Sequence, residues 1–258
     1  MNGKFAAYFR AARLLGGINF RGLPLIPKRF YRAAPCNRRA FNEFVSWIHR
    51  LKLEEVRWVV DGGANHGDFA QAVSGLHPSA QVLLVEPLPH LQDELKRRAD
   101  YQGGRWHVVP AALGRAPGHA TLHVDTNRDD VGSLLEFNEE YLNAHPEVRP
   151  GQDIPCEVTT LDRLCVGRDI RTIDLLKLDV EGFEFEALAG AVEMLPRTRA
   201  VVVEVSHTRH AGEGDDPLLQ MIRLLSEAGF ALVALLPSIY STERSWQPIE
   251  FNLLARKP

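Results

Sequence analysis

From residue 55 onward, short apolar runs rich in Val, Leu and Ile alternate with longer stretches whose apolar residues recur at helical spacing. The predicted strands cover residues 56–60, 81–86, 106–113, 120–124, 156–160, 173–180, 200–205, 231–236 and 251–255. The predicted helices cover residues 67–75, 88–99, 161–165, 183–195 and 216–228. Strands that alternate with helices in this way indicate βαβ units, and hence a mostly parallel sheet with helices on both faces.

The end of the chain departs from this alternation. No helical pattern separates the last two strands, which are joined only by residues 237–250. A long hairpin would make the final strand antiparallel to its neighbour. We therefore expect an α/β fold with a doubly wound, mostly parallel seven-stranded sheet of the Rossmann-like type and an antiparallel last strand. The polar stretch 136–152 interrupts the rhythm and is predicted to be an insertion.

The beginning of the chain has a different charge from the rest. Nine Lys or Arg and no Asp or Glu precede residue 43, and the remaining 216 residues carry 21 basic and 33 acidic side chains. We expect residues 1–50 to form a basic helical arm and residues 51–258 to form the domain. Helical spacing of Phe5, Phe9 and Ala12 favours docking of the arm on the domain or on a second copy of the chain. Contact with an anionic or membrane surface is the alternative.

Composition narrows the class of protein further. With 45% hydrophobic and 24% charged residues, the chain is typical of globular proteins. Its apolar runs are too short to cross a bilayer. The three cysteines form no CxxC pair, so a reducing compartment is favoured. We expect a cytoplasmic protein, with peripheral membrane contact through the arm as the alternative.

Candidate cofactor ligands lie at the ends of the first two predicted strands. The glycine-rich turn 61–67 follows the first strand, and Glu86 ends the second, where a carboxylate can accept hydrogen bonds from both hydroxyls of a ribose. The turn nearly matches the dinucleotide fingerprint GxGxxG, so a nicotinamide enzyme is one alternative. Asp61 would repel a pyrophosphate but attract an ammonium, which favours S-adenosylmethionine. The expected cofactor contacts are Asp61, Gly63, Asn65, Gly67 and Glu86.

With these motifs in place, the chain resembles the FkbM-type methyltransferases. The resemblance rests on the sequences of residues 61–69, 86–89, 160–162, 176–184 and 203–205. It implies a class I fold, S-adenosylmethionine as cofactor, and methyl transfer to a hydroxyl of a sugar, glycan or secondary metabolite. It also implies that Ser133 lies in the pocket. The unusual ending of the sheet agrees with a methyltransferase, and the basic arm lies outside the resemblance.

A second group of ionisable residues follows the strand 173–180. Lys177 and Asp179 share one face of that strand, and Glu181 leaves its tip. Glu204 lies on the next strand and His207 just beyond it. Because a hydroxyl must lose its proton to accept a methyl group, we expect the catalytic residues to be Lys177, Asp179, Glu181 and His207, with His207 suited to act as the base.

Two other interpretations of this group stay open. Asp179 and Glu204 could hold Mg²⁺, which would polarise the hydroxyl. Alternatively, Lys177 and a carboxylate from Glu204 or Asp179 could simply neutralise each other inside the sheet.

Other function classes are less well supported. An adenine methyltransferase of nucleic acids would carry an Asp/Asn-Pro-Pro-aromatic run where this chain has Asp179-Val-Glu-Gly182, and the acidic domain disfavours a phosphate backbone. We therefore expect no nucleic-acid partner. The remaining alternatives are an NAD-dependent oxidoreductase and a catalytically silent S-adenosylmethionine-binding regulatory domain.

Overall fold

The computed structural model describes residues 38–127, 132–208, 216–240 and 248–258, and elements are numbered here within those ranges. The α-helices are α1 (Arg38–Leu51), α2 (Asp68–Leu76), α3 (Gln92–Asp100), α4 (Glu139–Ala144), α5 (Leu161–Val166), α6 (Glu184–Ala189) and α7 (Pro217–Glu227), and a 3₁₀ turn spans Pro89–Leu91. The strands are β1 (Trp58–Gly62), β2 (Gln81–Val85), β3 (Trp106–Val109), β4 (Ala112–Leu113), β5 (Gly118–Asp125), β6 (Gly132–Ser133), β7 (Pro150–Thr159), β8 (Leu175–Leu178), β9 (Ala200–Ser206), β10 (Ala231–Tyr240) and β11 (Pro248–Arg256).

The main sheet has seven strands in the order β10-β11-β9-β8-β1-β2-β3. β1 pairs in parallel with both β2 and β8. β11 is antiparallel to both of its neighbours, β9 and β10. The predicted doubly wound sheet with an antiparallel last strand is therefore confirmed. The strand order reverses between β1 and β8, which is where ligands bind in open α/β sheets.

Apolar residues on both faces of the central strands explain why these strands read as continuous hydrophobic runs. Val59 and Val60 are both completely buried, in different clusters on opposite faces of the sheet. Helices α1, α2 and α3 cover the face of Val59. Helices α5, α6 and α7 cover the face of Val60. Burial on both faces explains why most positions of these strands are apolar.

Helix α1 joins the end of the predicted basic arm to the domain. Phe41, Ile48 and Leu51 are almost fully buried in the same cluster as Val59, so the predicted boundary at residue 50 falls inside a packed helix. Residues 1–37, which include the rest of the predicted arm, lie outside the described residues. The longest described helix, α1, has 14 residues, and none of those described combines the length and apolar composition that a bilayer crossing needs.

The predicted strand 106–113 is wrong in one respect, because it is two strands in two sheets. Pro110 has no N–H for a strand ladder, and the chain leaves the main sheet there after β3. β4 joins a second sheet with the order β4-β7-β5-β6. The sequence analysis predicted most of β5 and the last part of β7 as strands, but it predicted neither β6 nor the pairing of these strands in one sheet.

Two further predicted boundaries differ from the structure. The helix predicted over 183–195 covers only Glu184–Ala189 and is capped by Gly190, where a Cβ would lie 2.1 Å from the carbonyl oxygen of Gly114, so only glycine fits. The predicted insertion 136–152 contains α4, which Asn138 caps by accepting a hydrogen bond from the Tyr141 N–H at 2.7 Å. The last residues of that stretch already belong to β7.

Candidate active site

A cleft of about 350 Å³ opens at the carboxyl ends of β1, β2, β8 and β9. The turn after β1 and Glu86 after β2 form one side of it. Residues after β8, together with Glu204 of β9 and Glu250 of β11, form another. The second sheet and α4 contribute Ala112, Gly132, Tyr141 and His145. The cleft therefore lies at the switch in strand order.

The turn after β1 brings the backbone close to the end of β8. Gly63 has φ of +70°, and a Cβ on it would lie 1.8 Å from the carbonyl oxygen of Asp179. The N–H groups of Gly63 and Ala64 both donate to the carbonyl oxygen of Val85, at 3.0 and 3.1 Å. Only glycine fits this position, so the turn and the strand end form one rigid edge of the cleft.

Glu86 is 4% exposed and holds the turn in place. Its Oε2 atom accepts a hydrogen bond from the Asn65 N–H at 2.8 Å, and its Oε1 atom accepts one from the Leu88 N–H at 2.9 Å. Burial raises the pKa of Glu86 to about 7, although these two hydrogen bonds act in the opposite direction. Glu86 and Asn65, both predicted cofactor contacts, line the cleft.

Lys177 lies beneath the turn, between two carboxylates. Its Nζ atom is 3.4 Å from Oδ1 of Asp61 and 3.2 Å from Oδ2 of Asp179, and it donates to the carbonyl oxygen of Gly63 at 2.6 Å. Burial alone would lower the pKa of Lys177, but the attraction of Asp179 and Asp61 outweighs it and raises the pKa. Of the pairings considered from the sequence, the structure contains the one with Asp179 and adds Asp61.

Asp61 is completely buried and is not among the side chains that line the cleft. Its Oδ1 atom lies 3.4 Å from Nζ of Lys177. Burial raises the pKa of Asp61 to about 6, against the attraction of Lys177. Lys177 contacts both the Asp61 carboxylate and the carbonyl oxygen of Gly63, and so links Asp61 to the turn. The predicted direct contact of Asp61 with the cofactor stays a prediction.

The loop after β8 is shaped by a glutamate that the sequence analysis did not select. Oε1 of Glu184 accepts hydrogen bonds from the Val180 N–H at 2.9 Å and the Gly182 N–H at 3.2 Å. Between them, Glu181 has φ of +57°, which is strained for a residue with a Cβ. Burial raises the pKa of Glu184 to about 8. Glu184 thus fixes the loop that presents Asp179 and Glu181 to the cleft.

Four carboxylates, which we call the acidic wall, line the cleft together. They are Asp179, Glu181, Glu204 and Glu250. Burial raises the pKa of Glu204 well above its usual range, and the other three carboxylates of the wall raise it further. Glu250 was missed because it lies at the start of the last strand; the antiparallel pairing of β11 with β9 places it opposite Ser206 and close to Glu204.

His145 and Tyr141, both missed by the sequence analysis, face the acidic wall from α4 and its end. Their rings stack with centroids 4.3 Å apart. The Nε2 atom of His145 lies 3.5 Å from Oε1 of Glu250, and its Nδ1 atom lies 3.6 Å from Oε1 of Glu147. The only sequence signal for this pair was its place in the predicted insertion.

Besides Asp61, three other predicted site residues do not line the cleft. The Ser133 hydroxyl donates to the carbonyl oxygen of Glu181 at 2.7 Å, so Ser133 supports the loop after β8. Gly67 has φ of +80° and begins α2. The His207 Nε2 atom is 3.0 Å from Oδ2 of Asp216, and its ring packs edge-on against Phe251. Direct roles of these three in binding or catalysis stay predictions.

No group of three or more His, Cys, Asp or Glu is arranged to hold a metal ion within the part of the chain that the structure describes. The predicted Mg²⁺ site on Asp179 and Glu204 therefore has no support from the described geometry.

The donor set of the cleft fits S-adenosylmethionine. The cofactor has a ribose, an ammonium and a sulfonium and lacks phosphate, and the turn is bordered by the carboxylates of Glu86 and Asp179. A pyrophosphate beside them would be repelled. Together with the strand order of the main sheet, this site defines a class I S-adenosylmethionine-dependent methyltransferase.

The chain belongs to the family of the methyltransferase FkbM domain, whose profile matches residues 61–232. It is 28% identical over 184 residues to the 2-O-methyltransferase NoeI of Sinorhizobium fredii, and the aligned residues cover 69% of this chain and 74% of NoeI. It is 29% identical over 217 residues to the 31-O-demethyl-FK506 methyltransferase FkbM of Streptomyces tacrolimicus, covering 76% and 81% of the two chains. It is 29% identical over 186 residues to the hexuronic acid methyltransferase AglP of Haloferax volcanii, covering 70% and 67%. The family sets aside the alternative of an NAD-dependent oxidoreductase.

Proposed function

We propose that this enzyme transfers a methyl group from S-adenosylmethionine to a hydroxyl of a sugar, a glycan or a hydroxylated metabolite. The observation that carries the proposal is that the acidic wall, Glu86 and the turn after β1 all line one cleft. Three relatives are named as a 2-O-methyltransferase, a 31-O-demethyl-FK506 methyltransferase and a hexuronic acid methyltransferase. Hydroxyl acceptors suit carboxylates because each hydroxyl donates a hydrogen bond.

At the cofactor end, Glu86 would accept hydrogen bonds from the ribose hydroxyls. The backbone of Gly63 and Asn65 would lie against the amino-acid part of the cofactor. S-adenosylmethionine supplies a methyl group that is already activated by its bond to a sulfonium. The protein must therefore bring the acceptor oxygen into line with that methyl group and remove its proton.

At the acceptor end, Asp179 and Glu181 would accept hydrogen bonds from acceptor hydroxyls and orient the one that reacts. Lys177 would hold the two ends of the cleft together, because it contacts Asp179 on the acceptor side and the carbonyl oxygen of Gly63 in the turn after β1. The segment 136–152, which contains Tyr141 and His145, would bind the rest of the acceptor. These roles account for the ionisable groups after β8 without a metal ion.

The Mg²⁺ hypothesis has its own test. If a divalent cation on Asp179 and Glu204 polarises the hydroxyl, turnover stops after dialysis against a strong chelator and returns with added Mg²⁺. Full activity after chelation ends that hypothesis and leaves proton removal to a side chain.

Two expectations concern partners beyond the cleft. The basic residues before position 38 would bind an anionic surface or a second copy of the chain, and the enzyme would work in the cytoplasm. Sedimentation of the full chain with anionic and neutral vesicles tests binding to an anionic surface, and light scattering tests association with a second copy of the chain.

The proposed function is tested in two steps. Thermal unfolding is measured with S-adenosylmethionine, S-adenosylhomocysteine and NADH; a ligand at about a hundred times its dissociation constant adds about 2.7 kcal/mol, or several degrees. A shift with the two adenosyl compounds alone is expected. Transfer of a labelled methyl group to a panel of glycosides and polyols is then measured. Cofactor binding without transfer to any of them would instead support a silent regulatory domain.

A further inference from the structure

The imidazole of His145 is held in one orientation by its surroundings. The backbone N–H of His145 donates to the carbonyl oxygen of Tyr141 at 2.9 Å, and its backbone carbonyl oxygen accepts from the Val148 N–H at 3.0 Å, so these two bonds fix the backbone that carries the ring. The ring stacks on Tyr141 and is only 5% exposed. A histidine fixed in this way loses little conformational entropy when it acts on a substrate.

The same ring lines the cleft and carries an unsatisfied nitrogen. Nε2 makes no hydrogen bond of ordinary geometry with a described residue, and its contact with Oε1 of Glu250 is long, at 3.5 Å. Buried polar atoms without a partner are uncommon and call for an explanation, which includes a catalytic role. A hydroxyl of an acceptor would provide the missing partner.

We propose that His145 is the general base of the methyl transfer and that Glu250 positions and stabilises its ring. The inference rests on the function proposed above. The acceptor hydroxyl gives its proton to Nε2 of His145, and its oxygen forms the new bond to the methyl carbon. The electron pair of the broken sulfur–carbon bond stays on sulfur. The imidazolium that results is stabilised by Glu250 and returns its proton to solvent.

The charges around His145 suit this role. Carboxylates face the ring from three sides: Glu147 beside its own helix, Glu250 on β11 and Glu181 on the loop after β8. Burial acts to lower the pKa of His145, but these carboxylates outweigh it and raise the pKa, with Glu250 contributing most. A base with a raised pKa takes up a proton more readily, and it works only above that pKa.

His207, the base predicted from the sequence, is the natural rival. Its Nε2 atom is already engaged with Asp216, and the ring is not among the side chains that line the cleft. His123 provides a matched control, because its Nδ1 atom pairs with Asp153 at 2.7 Å on β5 and it does not line the cleft either.

The experiment uses the full chain with an acceptor that the wild-type enzyme methylates, so that wild-type turnover tests the proposed function first and separately. We expect His145→Gln to lower kcat by about 100-fold or more while the dissociation constant for S-adenosylhomocysteine is unchanged. His123→Gln should keep wild-type turnover. Loss of activity in His207→Gln with full activity in His145→Gln would overturn the assignment in favour of His207.

A second variant gives a readout that a purely structural role would not move. Glu250→Gln removes the carboxylate that contributes most to the raised pKa of His145, so the acidic limb of the kcat profile should shift to lower pH, with a reduced maximum. This result is informative even if His145→Gln fails to fold. An acidic limb at the wild-type position in Glu250→Gln would contradict the proposal.

Discussion

Lys177 and Asp61 form a buried ion pair between neighbouring strands. The Nζ atom of Lys177 is 3.4 Å from Oδ1 of Asp61, and their side chains are 5% and 0% exposed. The pairing of β1 with β8 sets these two residues opposite each other in register. Lys177 also donates to the carbonyl oxygen of Gly63. One lysine therefore joins the middle of the sheet to the glycine-rich turn after β1.

The first prediction follows from the burial of this pair. Lys177→Met leaves Asp61 without its cation in the interior, and we expect the free energy of unfolding to fall by about 3–5 kcal/mol. The control is Arg115→Met, which breaks an exposed pair with Glu186 (67% and 29% exposed) and should cost less than about 1 kcal/mol. Urea denaturation measures both variants. Equal losses would mean that Asp61 is neutral in the folded enzyme.

Much of this site could be read from the sequence, because it depends on the order of strands. Glu86 was selected at the end of one predicted strand and Asp179 near the end of another, and parallel strands deliver their carboxyl ends to one edge of the sheet. Asp61 could also have been predicted as a partner of Lys177, because the doubly wound order makes β1 and β8 neighbours.

The other half of the cleft depends on packing that the local sequence does not encode. His145 lies 3.5 Å from Glu250 although 105 positions of chain separate them, so no local sequence pattern links the two residues. Two strands of the second sheet, β4 and β6, have only two residues each, which is too few to show a periodic pattern. His207 was chosen because it follows a strand end, but its ring turns to Asp216 instead.

The second prediction concerns Glu86 as a cofactor ligand. Glu86→Gln keeps the volume of the side chain but provides one acceptor oxygen where two backbone N–H groups and the ribose need partners. We expect the affinity for S-adenosylhomocysteine to fall by about 10- to 100-fold in calorimetric titration.

Asp174→Asn is the matched control for this variant. Asp174 also accepts two backbone N–H groups, from Arg57 at 2.7 Å and Trp58 at 3.0 Å, but it does not line the cleft. This variant should lose stability and keep its affinity. Unchanged affinity in Glu86→Gln would rule out Glu86 as the ribose ligand.

The third prediction separates binding from turnover at Asp179. This side chain lines the cleft and is 34% exposed, so it can reach an acceptor hydroxyl. We expect Asp179→Asn to retain cofactor affinity within about threefold and to lose about 100-fold in kcat. Asp153→Asn, on an exposed carboxylate of β7, should change neither. A parallel loss of affinity and turnover would place Asp179 on the cofactor instead of the acceptor.

The last prediction is a pH dependence of stability that comes from Glu184. Its pKa is about 8 in the folded protein, raised from 4.5 by burial, so between these pH values the folded state holds a proton that the unfolded state has lost. The free energy of unfolding must then decrease as pH rises through this window, by up to about 1.4 kcal/mol per pH unit from this group. In Glu184→Gln the amide oxygen can still accept from the Val180 and Gly182 N–H groups but no longer titrates, so the decrease should become shallower. Urea denaturation from pH 5 to 8 compares this variant with wild type and with Glu227→Gln, an exposed glutamate at the end of α7. If the Glu184→Gln curve parallels that of wild type, the Glu184 carboxyl is ionised in the folded enzyme, and the loop after β8 is held by a charged group.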